Sequence, residues 1–142
     1  MLSNKFGVEI EFTGITRNRA STIVAKVVNG TTEHLSDGYD TYQIKAADGR
    51  KWKVMNDSSI ECMHLSNGHR SCASSLHAVE LVTPILTYRE DIDTLQNMVR
   101  LLRKAGGFTN STCGIHIHLD GAPHTPRSIV NFINLVASRN DL

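Results

Sequence analysis

The chain is short of the residues and motifs that mark several large classes of protein. It has three cysteines, Cys62, Cys72 and Cys113, odd in number and without a CxxC spacing. That argues against a disulfide framework and points to a reducing compartment. Charge of one sign is also lacking. Fifteen Lys and Arg against 14 Asp and Glu leave a net charge of +1, so no bulk field draws the chain to nucleic acid or anionic lipid. No apolar run has the length of a membrane span. The start, Met1 to Phe12, carries Lys5, Glu9 and Glu11 without an apolar h-region, and does not read as a signal peptide. The phosphate loop GxxxxGK[ST], the dinucleotide fingerprint GxGxxG and the metalloprotease helix HExxH are all absent. No repeat, low-complexity tract or long linker interrupts the chain. These absences leave a soluble, cytoplasmic domain as the expectation.

What is present is enough for a core. A domain of 142 residues with 40 % apolar and 20 % charged content can bury about 68–70 % of its unfolded surface. Residues 6–12, Phe-Gly-Val-Glu-Ile-Glu-Phe, alternate strictly and predict a strand. Thr16 can cap a helix through Ile23, Val24, Val27 and Val28, with Gly30 as its stop. Residues 40–45 and 51–55 flank Asp48-Gly49 and predict an antiparallel hairpin. Residues 61–75, with Asn67-Gly68, read as a loop or ragged hairpin, and 79–85 as a strand ended by Pro84. Thr87 and Glu90 fit a capping box ahead of a helix that Gly106-Gly107 ends. Residues 114–120 predict another strand. Thr125-Pro126 opens a last helix, which has no stop signal before the end of the chain. Hairpins mixed with β–α pairs predict an α+β fold: an antiparallel or mixed sheet with helices packed on one face.

The chemistry lies on the polar sides of these strands. Alternation puts Phe6, Val8, Ile10 and Phe12 on one face and Glu9 and Glu11 on the other. Two neighbouring carboxylates need water, cations or a metal, because burying them unpaired costs several kcal/mol each. A solvated outer face of an edge strand would satisfy them as well. In Gly114-Ile115-His116-Ile117-His118-Leu119-Asp120 the two imidazoles and Asp120 share the face opposite Ile115, Ile117 and Leu119. Two histidines at i and i+2 can turn toward one ion or phosphate, or be two ordinary surface histidines. Glu80 is a lone charge in an otherwise apolar strand, and is either partnered or at an edge. If these strands share a sheet, carboxylates and imidazoles converge. Such a donor set suits Mg²⁺ or Mn²⁺, whereas structural zinc would want cysteines.

At these residues the sequence resembles the amidoligases, carboxylate–amine ligases with a glutamine synthetase-like catalytic fold. The matching pieces are Gly7-Val8-Glu9-Ile10-Glu11-Phe12, Trp52-Lys53-Val54 with Asp57-Ser58-Ser59-Ile60, residues 80–86, and residues 110–118 ending in Gly114-Ile115-His116-Ile117-His118. The resemblance implies ATP and Mg²⁺ (or Mn²⁺), with Glu9, Glu11, Glu80 and His116 holding two divalent ions. It implies His118 at the nucleotide phosphates, Lys53 neutralising phosphate, and Asp57 orienting a substrate group. Lys53 also reads as a solvated strand lysine, and Asp57 as a turn residue. Cys113 is expected to be a packed small residue, and His34, His64, His69, His77 and His124 surface or loop residues. The family's later E-[FL]-R strand has no counterpart, so the chain is expected to be the N-terminal portion of the catalytic domain, with substrates that are small-molecule or peptide carboxylates and amines. Two rivals stand beside this reading. One is a zinc hydrolase using His116, His118 and a glutamate; the other is an inactive nucleotide-binding domain.

Overall fold

The computed structural model describes residues 5–139. Residues 1–4 and 140–142 lie outside the described residues; the last helix, for which the sequence shows no stop signal, ends at Ala137 with Ser138 as its C-cap. The protein is α+β, and every strand pairing is antiparallel.

Strand β1 (Lys5–Phe12) is followed by helix α1 (Arg17–Val27), then β2 (Thr31–His34), β3 (Tyr42–Lys45) and β4 (Lys51–Met55). The Asp48-Gly49 hairpin forms as the sequence predicts, with Gly49 at φ +86°. A separate hairpin follows, β5 (Met63–Ser66) and β6 (His69–Cys72), turned by Asn67 and Gly68, both at positive φ. Strands β7 (Val79–Val82) and β8 (Leu86–Thr87), helix α2 (Tyr88–Lys104), β9 (Ile115–Leu119) and α3 (Pro126–Ala137) complete the chain.

In the main sheet β2, β3, β4 and β7 run in order to β1, and β9 lies along the far side of β1. β7 and β8 flank the same side of β1, separated by Thr83-Pro84-Ile85. Their registers on β1 differ by one residue (Glu9↔Val82, Lys5↔Thr87). A proline cannot donate to a ladder, so the slip falls there and β7 ends before residue 85. Thr83 bridges the gap: its Oγ1 accepts from the Val8 N–H at 2.9 Å.

The β1 alternation decides what is inside. Val8 and Phe12 are buried with Ile44, Trp52, Val54, Val79 and Leu81, and α1 and α2 cover that face with Ala20, Val24, Leu95, Met98 and Leu102. α1 starts as expected, with Thr16 Oγ1 accepting from the Arg19 N–H at 3.3 Å. Strand β2 has no signature in the sequence; its four residues are exposed and polar, and it forms because β3 offers an edge.

α2 corrects one expectation. Thr87 is its N-cap but makes no side-chain cap, so the predicted capping box with Glu90 does not form. Asp91 takes over. Its carboxylate accepts the Thr87 N–H and the Arg50 guanidinium, both at 2.7 Å, and ties α2 to the β3–β4 turn. The Arg50 hydrogen bond is the main reason the Asp91 carboxyl lies below its usual range, against the opposing effect of burial. The ionised form is thereby favoured in the folded state. This contribution is complete above the unfolded value of about 3.9 and is lost as pH falls through the lower folded value. We expect Asp91→Ala to destabilise the fold by about 2 kcal/mol at pH 7. Urea unfolding should show that difference shrinking toward zero in strong acid.

Candidate active site

The face of the sheet away from α1 and α2 gathers nearly all the predicted residues. Register puts Glu9 opposite His116 on β9 and opposite Val82 on β7, and puts Glu11 opposite Glu80. His116 Nδ1 is 3.1 Å from one Glu9 oxygen, and His118 Nε2 is 3.2 Å from the other. Glu9 therefore clamps both imidazoles. The hydrogen bond from His116 is the main cause holding the Glu9 carboxyl below its ordinary range, and the same bond raises His116 above its own.

Glu11 is buried. One of its oxygens accepts the Gly114 N–H at 2.7 Å, and the other is 4.0 Å from His116 Nε2. Beyond it, ligand oxygens of Glu11, Asp57 and Glu80 all lie within 4.8 Å of one another. Asp57 enters from the loop after β4, its carboxylate accepting the Ser59 N–H at 2.8 Å, the main reason for its lowered pKa. Glu80 is shifted the other way, chiefly by burial and then by the charges of Glu9, Asp57 and Glu11.

Three carboxylate groups this close, with a half-exposed imidazole beside them, repel one another. Their chemistry fits a hard divalent cation with oxygen ligands. The residues brought together differ in grouping from the sequence expectation. Glu11 and Glu80 are joined by Asp57, while Glu9 is engaged by His116 and His118. Lys53 is on the same face. It pairs with Val82, which pairs with Glu9, so its Cα is two strands from Glu9, about 10 Å away.

Several positioning groups escaped the sequence reading. Arg17, at the first turn of α1, is 3 % exposed. Its guanidinium donates to Asp40, to Asn56 Oδ1 and to the carbonyls of Ser75 and Ala78. One buried cation thus fastens the residue before Asp57 and the residue two before Glu80. From the other side the Thr112 Oγ1 accepts the Glu61 N–H, and Asn110 Nδ2 donates to the Glu61 carbonyl, both at 2.9 Å. Gly14, at φ +98°, passes so close to Gly106 that a Cβ would sit 2.3 Å from its carbonyl oxygen. Arginine in a helix first turn has no favourable dipole interaction there, so nothing in the sequence marked it. Cys113 packs as expected, its Sγ 3.4 Å from Asn110 Oδ1. His77, expected to be a surface or loop residue, is half-buried at the end of a short 3₁₀ turn, and its Nδ1 has no partner among the described residues.

The acidic and imidazole strands thus present their polar residues on one face of one sheet. The chain belongs to the family described as "Putative amidoligase enzyme", whose model matches residues 2–142. No curated protein and no solved structure matches it. No helix among the described residues is long and apolar enough to cross a membrane.

Like charges directly opposite on neighbouring strands destabilise by up to about 1 kcal/mol. Glu80→Gln should therefore stabilise the metal-free protein by roughly 0.5–1 kcal/mol at neutral pH, measured by urea unfolding in chelator. The same variant should lose the rise in Tm that Mg²⁺ or Mn²⁺ gives the unaltered chain.

Proposed function

We propose that the protein is an ATP-dependent carboxylate–amine ligase that forms an amide through an acyl-phosphate. The supporting observation is the placing of Glu9, Glu11, Asp57 and Glu80 with His116 and His118 on one face of the sheet. In this reading a substrate carboxylate attacks the γ-phosphoryl group of ATP and ADP leaves. An amine then attacks the acyl carbon, giving the amide and phosphate.

Glu11, Asp57 and Glu80 would hold one Mg²⁺ or Mn²⁺, and Glu9 with His116 would contribute to a second. Bound there, the ions would neutralise charge on the phosphate oxygens. The chain's own groups do the rest. Glu9 fixes the two imidazoles, so His118 presents a ring nitrogen beside bare Gly7, where nucleotide phosphate can approach. Lys53 offers a cation from the opposite side of the face. Asp57, held by the Ser59 N–H and by the neighbours of Asn56, is a metal ligand in this reading rather than only an orienting group for substrate. The substrates fall in the class of small-molecule or peptide carboxylates and amines.

The sheet is read as the N-terminal portion of a glutamine synthetase-like catalytic fold in the cytoplasm. Residues 1–142 contain no counterpart of the family's E-[FL]-R strand, so turnover by these residues alone is expected to be slow. The zinc-hydrolase alternative is less well supported, because the donors gathered around Glu11 are the carboxylates of Asp57 and Glu80, which suit a hard cation better than zinc.

Binding of ADP with Mn²⁺, followed by titration calorimetry, tests the reading. We expect metal-dependent binding that falls at least about tenfold in Glu11→Gln, and phosphate release that falls about 100-fold in the double variant Glu9→Gln, Glu11→Gln. Nucleotide binding and phosphate release both indifferent to these changes, or stoichiometric zinc surviving dialysis, would overturn it.

A further inference from the structure

The polar face of the main sheet carries charge of both signs, and the two are kept apart. The gathered carboxylates stand on β1, on β7 and in the loop after β4, while three lysines stand on β3 and β4. The apolar side decides this. Ile44, Ala46, Trp52 and Val54 are buried, so alternation sends Lys45, Lys51 and Lys53 to the opposite face, where all three are exposed. Register then sets Lys45 directly opposite Lys51, and Lys53 opposite Gln43. The Ala46 N–H donates to the Arg50 carbonyl at 2.9 Å. The next pair, Lys45 and Lys51, is therefore a non-hydrogen-bonded one, with Cα atoms about 4.5 Å apart, the closest approach an antiparallel ladder gives.

Like charges directly opposite one another destabilise a sheet. Among the described residues Lys45, Lys51 and Lys53 enter no ion pair. The nearest loop carboxylates are committed elsewhere. Asp48 is 2.8 Å from Arg50 Nε, and Asp37 accepts the Tyr39 and Thr41 N–H groups at 3.0 and 3.1 Å. Glu33, opposite Gln43, stands beside the lysines without pairing with them. Lys51 lies two strands across and two residues along from Glu9, a Cα separation of about 12 Å, and about 14 Å from Glu80. The sheet thus offers two ammonium groups to an anion at a set span from its carboxylates.

We propose that Lys45 and Lys51 hold a second carboxylate of the substrate, and that the carboxylate partner in amide formation is therefore an acidic peptide. This rests on the ligase reading, in which the reacting carboxyl lies at Glu9, Glu11 and Glu80 with their metal ions. An extended chain advances about 3.4 Å per residue, so an acidic side chain roughly three or four residues away reaches the lysine pair. A carboxylate between the two lysines also offsets the repulsion that their register imposes. Nucleotide phosphate offers the same chemistry, but a triphosphate on those metals is shorter than the span, and the reading already gives it Lys53 and His118. A nucleic acid would lay repeated negative charge along a face that is half carboxylate, in a chain of net charge +1. An acidic peptide needs only two carboxylates, one at each end of the span.

Fluorescence polarisation of labelled pentaglutamate at low ionic strength, with ADP and Mn²⁺ present, tests this on the 142-residue chain. We expect saturable binding of pentaglutamate, none of pentaglutamine, and competition by diglutamate weaker by at least about tenfold, since it does not reach both sites. Lys51→Glu turns the repelling pair into an attracting one. It should raise the urea midpoint, and weaken pentaglutamate by at least about tenfold. Lys51→Arg keeps the charge and should leave pentaglutamate binding near that of the unaltered chain. Calorimetry with ADP and Mn²⁺ on the same proteins separates the two sources of anion. Unchanged ADP affinity in Lys51→Glu supports the proposal; a tenfold loss assigns the pair to phosphate and overturns it. So does pentaglutamate binding that is absent from the unaltered chain or indifferent to Lys51→Glu, equal competition by diglutamate, or oligothymidylate bound as tightly as pentaglutamate. Should no protein bind ADP while pentaglutamate binding still depends on Lys51, the ligase reading fails and the peptide site stands alone.

Discussion

The pleat of β1 is the constraint on which the rest of the structure depends. The strand is flanked by β7 and β8 on one side and by β9 on the other. Its apolar set cannot turn outward without exposing Val8 and Phe12. Burying them under α1 and α2 commits Glu9 and Glu11 to the opposite face, and the antiparallel registers then commit Glu80 and His116 as their neighbours. A slip of one residue in any of these pairings would send an apolar residue to the acidic face and a carboxylate into the core, with a cost of several kcal/mol for each. Burial energy on one face is thus what holds mutually repelling charges together on the other.

The repulsion is moderated unevenly, and that gives the two glutamates different characters. Glu9 is half-buried and shares its two oxygens between two imidazoles, which supply compensating charge. Glu11 is buried and receives a backbone N–H from Gly114. A backbone donor orients a carboxylate but does not neutralise it, so the net charge beside Glu80 and Asp57 stays negative. Arg17 adds a cation to this region, but it is occupied by Asp40, Asn56 and two carbonyls. It fixes backbone; it does not discharge the cluster. The carboxylates of Glu11, Asp57 and Glu80 are thus held in place while the Arg17 guanidinium is engaged elsewhere.

What the sequence revealed follows how local the determining interaction is. β1, the Asp48-Gly49 hairpin, the α1 cap and the end of α2 at Gly106 all depend on residues a few positions apart, and their patterns were plain; the Asn67-Gly68 segment, open between loop and hairpin in the sequence, is a hairpin. The capping box was misread because Thr87 and Glu90 have the right spacing, while Asp91 has a stronger offer from Arg50, 41 residues away. β2 was missed because its exposed polar residues carry no periodicity, and only the edge of β3 makes it a strand. In the candidate site, Glu9, Glu11, Glu80 and the two histidines could be found because each breaks an apolar alternation. The place of Asp57 among the carboxylates could not, since it comes from a turn held by Arg17, Asn110 and Thr112 across long sequence separations. Spacing reveals which face a residue shares with its own strand and says nothing of what the next segment delivers to that face.

β9 makes the two sides of the molecule interdependent. His116 and His118 point to the acidic face from a strand whose other side chains, Ile115, Ile117 and Leu119, remain largely exposed. Among the described residues the only ladder holding the strand is the one to β1, so its backbone is protected on one side and open on the other. Strands held in this way are the first to fray. Covering the apolar side of β9 would therefore do more than remove hydrophobic surface from water. It would stiffen the strand that presents both imidazoles, and with it the Gly114 N–H that orients Glu11. Cover on the apolar face and order on the acidic face go together, because both sets of side chains hang from the same backbone.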